Sequence, residues 1–205
     1  PYEAYPNPDA SLVSLNLHPG APETGGLLLK KNKIKKLETI TDDFNYDGAS
    51  LARAKSSENR LLFLSPILKE DIHISGLTNL NIKVASSKKA VNLSVWLVSL
   101  PWNSEKNAKI TDNIITRGWA DIQNYKSIRE SKDLIPGKFY QMSFNLEPDD
   151  QVIKKGQQIG LMIFSSDSEF TLHPKPGTKL TVDINTSSLE LPIVGGNKSL
   201  KRAFK

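Results

Sequence analysis

Gly48-Ala49-Ser50-Leu51-Ala52 is the nearest this chain comes to a serine nucleophile. A hydrolase elbow needs a glycine two residues after the serine and a strand before it, so that the strained turn exposes the hydroxyl. Ala52 stands where that glycine is needed, and Asp43-Phe44-Asn45-Tyr46-Asp47 does not read as a strand. Ser50 is therefore expected to be a loop or cap residue. His18, His73 and His173 are the candidate bases near neutral pH. No spacing pairs any of them with a nucleophile or a carboxylate. Asp42-Asp43, Asp149-Asp150 and Asp167 offer the hard oxygens that calcium takes. The chain has no D-x-D-x-D-G loop to collect them, and capping and turn roles account for such acids. Trp96, Trp102, Trp119 and Tyr125 are the flat aromatics a sugar site would use. Trp96 sits in an apolar run and reads as core; the others fall at strand ends or in loops, where packing is the commoner role. Phosphate-cradling and zinc motifs are absent. No catalytic, cofactor-binding or metal-ligating residue is assigned within this chain.

Charge narrows the partners. The net charge is +5 over 205 residues, but Lys198, Lys201, Arg202 and Lys205 supply four of those charges in a terminal run without acids. The cluster Lys30, Lys31, Lys33, Lys35 and Lys36 is broken by Ile34 and reads as the solvated part of a hairpin. With no nucleic-acid-reading motif, neither nucleic acid nor a membrane surface is an expected partner. The absence of cysteine excludes disulfides, thiolate metal sites and a cysteine nucleophile, and suits a reducing cytoplasm.

The elements that would hold any site are strands. Leu80, Ile82 and Val84 alternate with Asn81 and Lys83, and Leu180, Val182 and Ile184 alternate with polar neighbours. Tyr140, Met142, Phe144 and Leu146 do the same, so each run is expected to be half buried. Leu93–Leu100 and Ile159–Phe164 are apolar at nearly every position and are expected to be central, covered on both faces. Ser86–Ala90 joins two strands, while Pro136-Gly137, Lys155-Gly156 and Pro176-Gly177 mark turns. Only Ala49–Lys55 offers a short helix, capped by Asp47. The pattern predicts an all-β, antiparallel jelly-roll sandwich with long loops at 103–114 and 122–132 and at most one short helix. Its parts are an extended leading segment over 1–22, lying along another domain, a sandwich over 23–196 and a basic tail over 197–205.

Phe170–Gly196, Ile115–Asn124 (ITRGWADIQN) and Phe139–Asp150 (FYQMSFNLEPDD) together carry a resemblance. They resemble the C-terminal, non-catalytic domain of bacterial Xaa-Pro dipeptidyl-peptidases. Shorter blocks such as Asn59–Ser65 and Leu191–Gly196 extend the resemblance over most of the chain. It implies a galactose-binding-domain-like jelly roll packed on an upstream α/β-hydrolase domain, whose Ser–Asp–His triad removes X-Pro dipeptides. None of those triad positions lies in this chain, so the segment alone is expected to be inactive. The implied partners are that catalytic domain and a second copy of the full-length protein. The roles to be expected are docking, stability, dimerisation and shaping of access to the pocket. The alternative is an autonomous carbohydrate-binding jelly-roll module, which would display an aromatic platform.

Overall fold

The computed structural model describes residues 4–173, 175 and 177–205. The first three residues of the leading segment and the Pro176 half of the Pro176-Gly177 turn lie outside the described residues. Alternation becomes thirteen strands among the described residues. They are β1 Ala10–His18, β2 Gly25–Leu28, β3 Leu37–Thr41, β4 Arg60–Leu64, β5 Ile72–Gly76, β6 Asn79–Ser86 and β7 Asn92–Leu100. The rest are β8 Ile114–Asp121, β9 Phe139–Asn145, β10 Asp149–Ile153, β11 Gln158–Phe164, β12 Lys179–Asp183 and β13 Ser188–Val194. Two helices, α1 Gly48–Arg53 and α2 Gly196–Ala203, complete the fold with two 3₁₀ turns.

Hydrogen bonding links the strands in the order β3-β12-β6-β13-β1-β2-β4-β11-β7-β8, with β9 on β6 and β5 between β13 and β10. One end of this path contributes Ile82, Val84 and Val182 to the same core that Phe63, Val95 and Leu161 enter from the other end. The path therefore folds over on itself as an all-β sandwich. Pairing is antiparallel throughout except for β2 and β4, which run parallel. Gly137 and Gly156 take φ of +78° and +88° just ahead of β9 and β11, the left-handed turn positions that glycine adopts without a steric cost.

The two continuous apolar runs are β7 and β11, paired with each other inside the sheet. Their inward residues join the main core. Trp96, Val98, Met162 and Phe164 point outward into a second, smaller core closed by Leu51 and Ala52 of α1. This explains why the runs do not alternate: both faces are out of water. Gly48 opens α1 directly against the Trp96 indole, where any Cβ would overlap the ring.

Several details differ from the sequence-based expectation. Within the leading segment, Ala10–His18 are extended as expected but pair with β13 and β2 in this chain's own sheet. Val13, Leu15 and Leu17 thereby enter the core. The lysine cluster at 30–36 is solvated, yet it joins β2 to β3, which do not pair, so it is a crossover rather than a hairpin. Ser86–Ala90 likewise carries the chain from one layer to the other. A second helix, α2, forms in the basic tail. Its Leu200 and Ala203, one turn apart, are fully buried while the lysines stay in solvent.

Candidate functional site

Ser50 caps α1. Its amide donates to Asp47 Oδ1 at 2.7 Å and its hydroxyl donates to the Asp47 carbonyl at 2.9 Å, with no histidine among its partners. A serine, a histidine and an aspartate do meet elsewhere, across β5 and β10. His73 Nε2 lies 2.7 Å from Asp150 Oδ1, and the Ser75 hydroxyl donates to Asp150 Oδ2 at 2.8 Å. The order is wrong for catalysis, because the carboxylate sits between the other two and the hydroxyl gives its proton to the acid rather than to the imidazole. The Asn7 amide in turn donates to Ser75 Oγ at 2.8 Å, so the trio fastens the leading segment to the sheet. His18 Nε2 engages the Lys30 carbonyl, and the His173 ring stacks on Phe44 at 5.2 Å.

The neighbouring Asp149 has a different environment. One of its carboxylate oxygens is buried without a partner, and burial pushes its pKa above the ordinary aspartate value. A folded-state pKa raised in an acid means that the protonated form is the better tolerated one. The associated stability is complete below the unfolded value and is lost as pH rises through the folded value. Asp149→Asn is therefore expected to raise stability at neutral pH by on the order of 0.5 kcal/mol, and to leave it unchanged in acid. Urea denaturation at the two pH values measures this.

The remaining sequence candidates converge at one end of the second core. Trp96 and Arg117 are register partners on β7 and β8, and Ser94 and Trp119 are the next pair on the same face. Asp167, fully buried, follows β11 and accepts from the Trp96 indole at 3.0 Å and the Trp119 indole at 3.2 Å through one oxygen. Its carbonyl also accepts from the amides of Phe170 and Thr171, which closes the turn after β11. The turn lays Phe170 over Trp119, with centroids 5.3 Å apart. Arg117 fills the space between, its guanidinium 4.8 Å from the Trp96 ring and 4.9 Å from the Phe170 ring. Asp42 joins from the end of β3, accepting from the Ser166 amide at 2.8 Å. The acids that could have suited calcium are thus divided: Asp42 and Asp167 brace this turn, and Asp149-Asp150 belong to the β5–β10 pair.

Around this constellation large apolar side chains reach the surface among polar ones. Ile128 is 92% exposed, Leu172 89% and Phe170 52%. They connect through Trp119, which shares one hollow of about 300 Å³ with Tyr125 and Ile128 and a second with Leu172. β8 is an edge strand. Its first half is covered by residues 146–147, since the Glu147 amide donates to the Arg117 carbonyl at 2.7 Å. The Trp119–Asp121 half is left open. Trp102 packs against the second core instead. Residue type alone singles out Trp119 and Tyr125 but misses Ile128, Phe170 and Leu172 as a surface. The signal that could have found them is an apolar residue isolated in a polar loop.

Comparison with known proteins gives this surface a context. The model of the X-Pro dipeptidyl-peptidase C-terminal non-catalytic domain matches residues 1–201. A provisionally named Xaa-Pro dipeptidyl-peptidase of Rhodopirellula baltica is 54% identical over 200 residues, 98% of this chain and 32% of the relative. One from Bacillus anthracis, named in the same way, is 38% identical over 170 residues, covering 82% and 27%. The chain thus spans about a third of the length of these relatives. Among solved structures, an aminopeptidase from a marine sediment Thaumarchaeota archaeon superposes with a TM-score of 0.74 at 14% identity, covering 94% of this chain and 38% of that one. An alpha-amino acid ester hydrolase superposes with 0.67 at 14% identity, covering 88% and 36%. Both likenesses are of fold.

Proposed function

Because this chain belongs to the family of X-Pro dipeptidyl-peptidase C-terminal non-catalytic domains, we propose that it docks on an upstream catalytic domain and stabilises it. The parent enzyme in this reading is a proline-specific serine hydrolase that releases N-terminal X-Pro dipeptides. One observation carries the docking role: the band in which Ile128, Phe170 and Leu172, joined through the half-buried Trp119, leave large apolar side chains in water when the chain stands alone. An isolated domain gains nothing from that exposure, whereas a covered one gains about 25 cal/mol per Å² of it. Jelly-roll closure of the galactose-binding type, a homodimeric parent and a cytoplasmic location belong to the same reading. The described residues contain no helix long and apolar enough to cross a membrane.

The carbohydrate-binding alternative draws on the hollow in which Trp119 and Tyr125 meet Asp121, Asn124 and Ser143. Both rings are already engaged by other aromatics: Trp119 packs on Phe170, and Tyr125 packs against Tyr140 with centroids 4.7 Å apart. The Trp119 indole N–H is spent on Asp167. Docking is therefore the favoured reading.

Hydrolysis of a chromogenic Ala-Pro substrate tests it. The full-length gene product is expected to release Ala-Pro, this chain alone to release none, and a form lacking the segment to lose thermal stability. A full-length protein without that activity, together with sugar-dependent Trp fluorescence of the chain, would favour the binding module.

A further inference from the structure

Arg117 lies beside the exposed band, its guanidinium against Phe170. Its Nε–H is buried and has no partner. Among the described residues no carboxylate lies within the 4.0 Å of an ion pair. Asp167 shares Trp96 with it: one of its oxygens serves two indoles, the other is buried without a partner, and the two side chains form no ion pair. The guanidinium rests against both the Trp96 and the Phe170 rings, which hold it in place. A planar cation held in this way keeps little rotational freedom, and its fork of N–H groups fits a carboxylate in two parallel bonds.

We propose that Arg117 is the anchor of the docking surface and receives a carboxylate from the upstream catalytic domain of the same polypeptide. The inference rests on the docking reading above and adds the chemistry of the contact. Three features select this partner. Among the described residues no carboxylate forms an ion pair with the cation, so an opposing surface can supply one. The surface is apolar at Ile128, Leu172 and Phe170, which suits a protein partner, and an arginine packed on aromatics beside such a surface is the composition of an interface hot spot. Finally, the related proteins run to about three times the matched length, so the same polypeptide has a surface to offer. Burial of the rim would exclude water and strengthen the pair.

Scanning calorimetry of the full-length protein and of the 205-residue chain tests this with Arg117→Met, Arg117→Lys and Leu172→Ser. Arg117→Met keeps the stem between the rings but removes the fork. In the full-length protein it is expected to lower the melting temperature of this segment by at least about 5 °C, while the chain alone moves by less than about 2 °C. Arg117→Lys, which keeps charge without the fork, is expected to recover part of the loss. Equal losses in both contexts would make Arg117 a structural spacer and overturn the proposal. A full-length protein insensitive to Arg117→Met but sensitive to Leu172→Ser would place docking on the band without the anchor, which also overturns it. If neither substitution distinguishes the full-length protein from the chain, the docking reading itself falls.

Discussion

Replacing Arg60 by alanine is expected to cost about 4 kcal/mol, a large share of the stability a domain of this size commands. Arg60 is fully buried on β4 and, among the described residues, pairs with no carboxylate. Its guanidinium donates instead to five carbonyls, those of Ala21, Pro22, Glu23, Leu51 and Ala54, at 2.6–3.2 Å. Burial lowers its pKa, but arginine starts so high that it stays cationic at any pH the fold survives. The five dipoles take the place of water around the charge. Two of the acceptors, Ala21 and Pro22, also accept backbone amides. The carbonyls of Leu51, Glu23 and Ala54 depend on Arg60 more heavily, and Leu51 is buried. Losing the guanidinium would therefore strand acceptors, open a cavity and release α1 from the residues between β1 and β2.

Arg60→Met separates these contributions. It restores most of the volume without the donors, so it is expected to recover the cavity share alone and remain about 2 kcal/mol short of the native chain. Full recovery by methionine would mean that the carbonyls are served by water and that the arginine fills space. Urea unfolding gives the energies. Hydrogen exchange at the Ala54 amide, which donates to Ser50 at the end of α1, reports whether the helix has come loose.

What the sequence made legible follows from periodicity. Leu80, Ile82 and Val84 are buried as their alternation required, and the unbroken run at Leu93–Leu100 proved to be covered on both faces by two separate cores. Periodicity states which face of a strand is dry, but it does not state which strand lies beside it. That is why the lysine loop reads as a hairpin when it is a crossover, and why the leading segment does not read as a central strand. α2 is hidden in the sequence because four basic residues in a nine-residue stretch mask Leu200 and Ala203, its two fully buried side chains. The candidate surface was half legible. Trp119 stood out by type, whereas Arg117, Asp167 and Phe170 come from a strand and a distant turn, and only the fold brings them together.

Asp167→Ala is expected to cost about 3 kcal/mol and to disorganise the docking surface, because this carboxylate ties the second core to the loop that carries Phe170 and Leu172. The two indole donors it serves differ in what they can do without it. Trp119 is half buried and can turn to water, while Trp96 is 2% exposed and wedged among Gly48, Phe164 and Arg117, so its N–H would remain unpaired. Most of the cost therefore falls on Trp96. Asp167→Asn keeps one carbonyl acceptor for the indoles but loses the charge assistance and puts an NH2 where the second, buried oxygen has no partner, so about 1 kcal/mol is expected, with the order Ala above Asn. Release of the Trp119 indole should shift its emission to the red in the alanine variant and hardly at all in the asparagine one. If the two variants were equally stable, the indole bonds would not be what holds the turn. The backbone bonds from Phe170 and Thr171 to the Asp167 carbonyl would then hold it alone, and the surface they present would survive loss of the side chain.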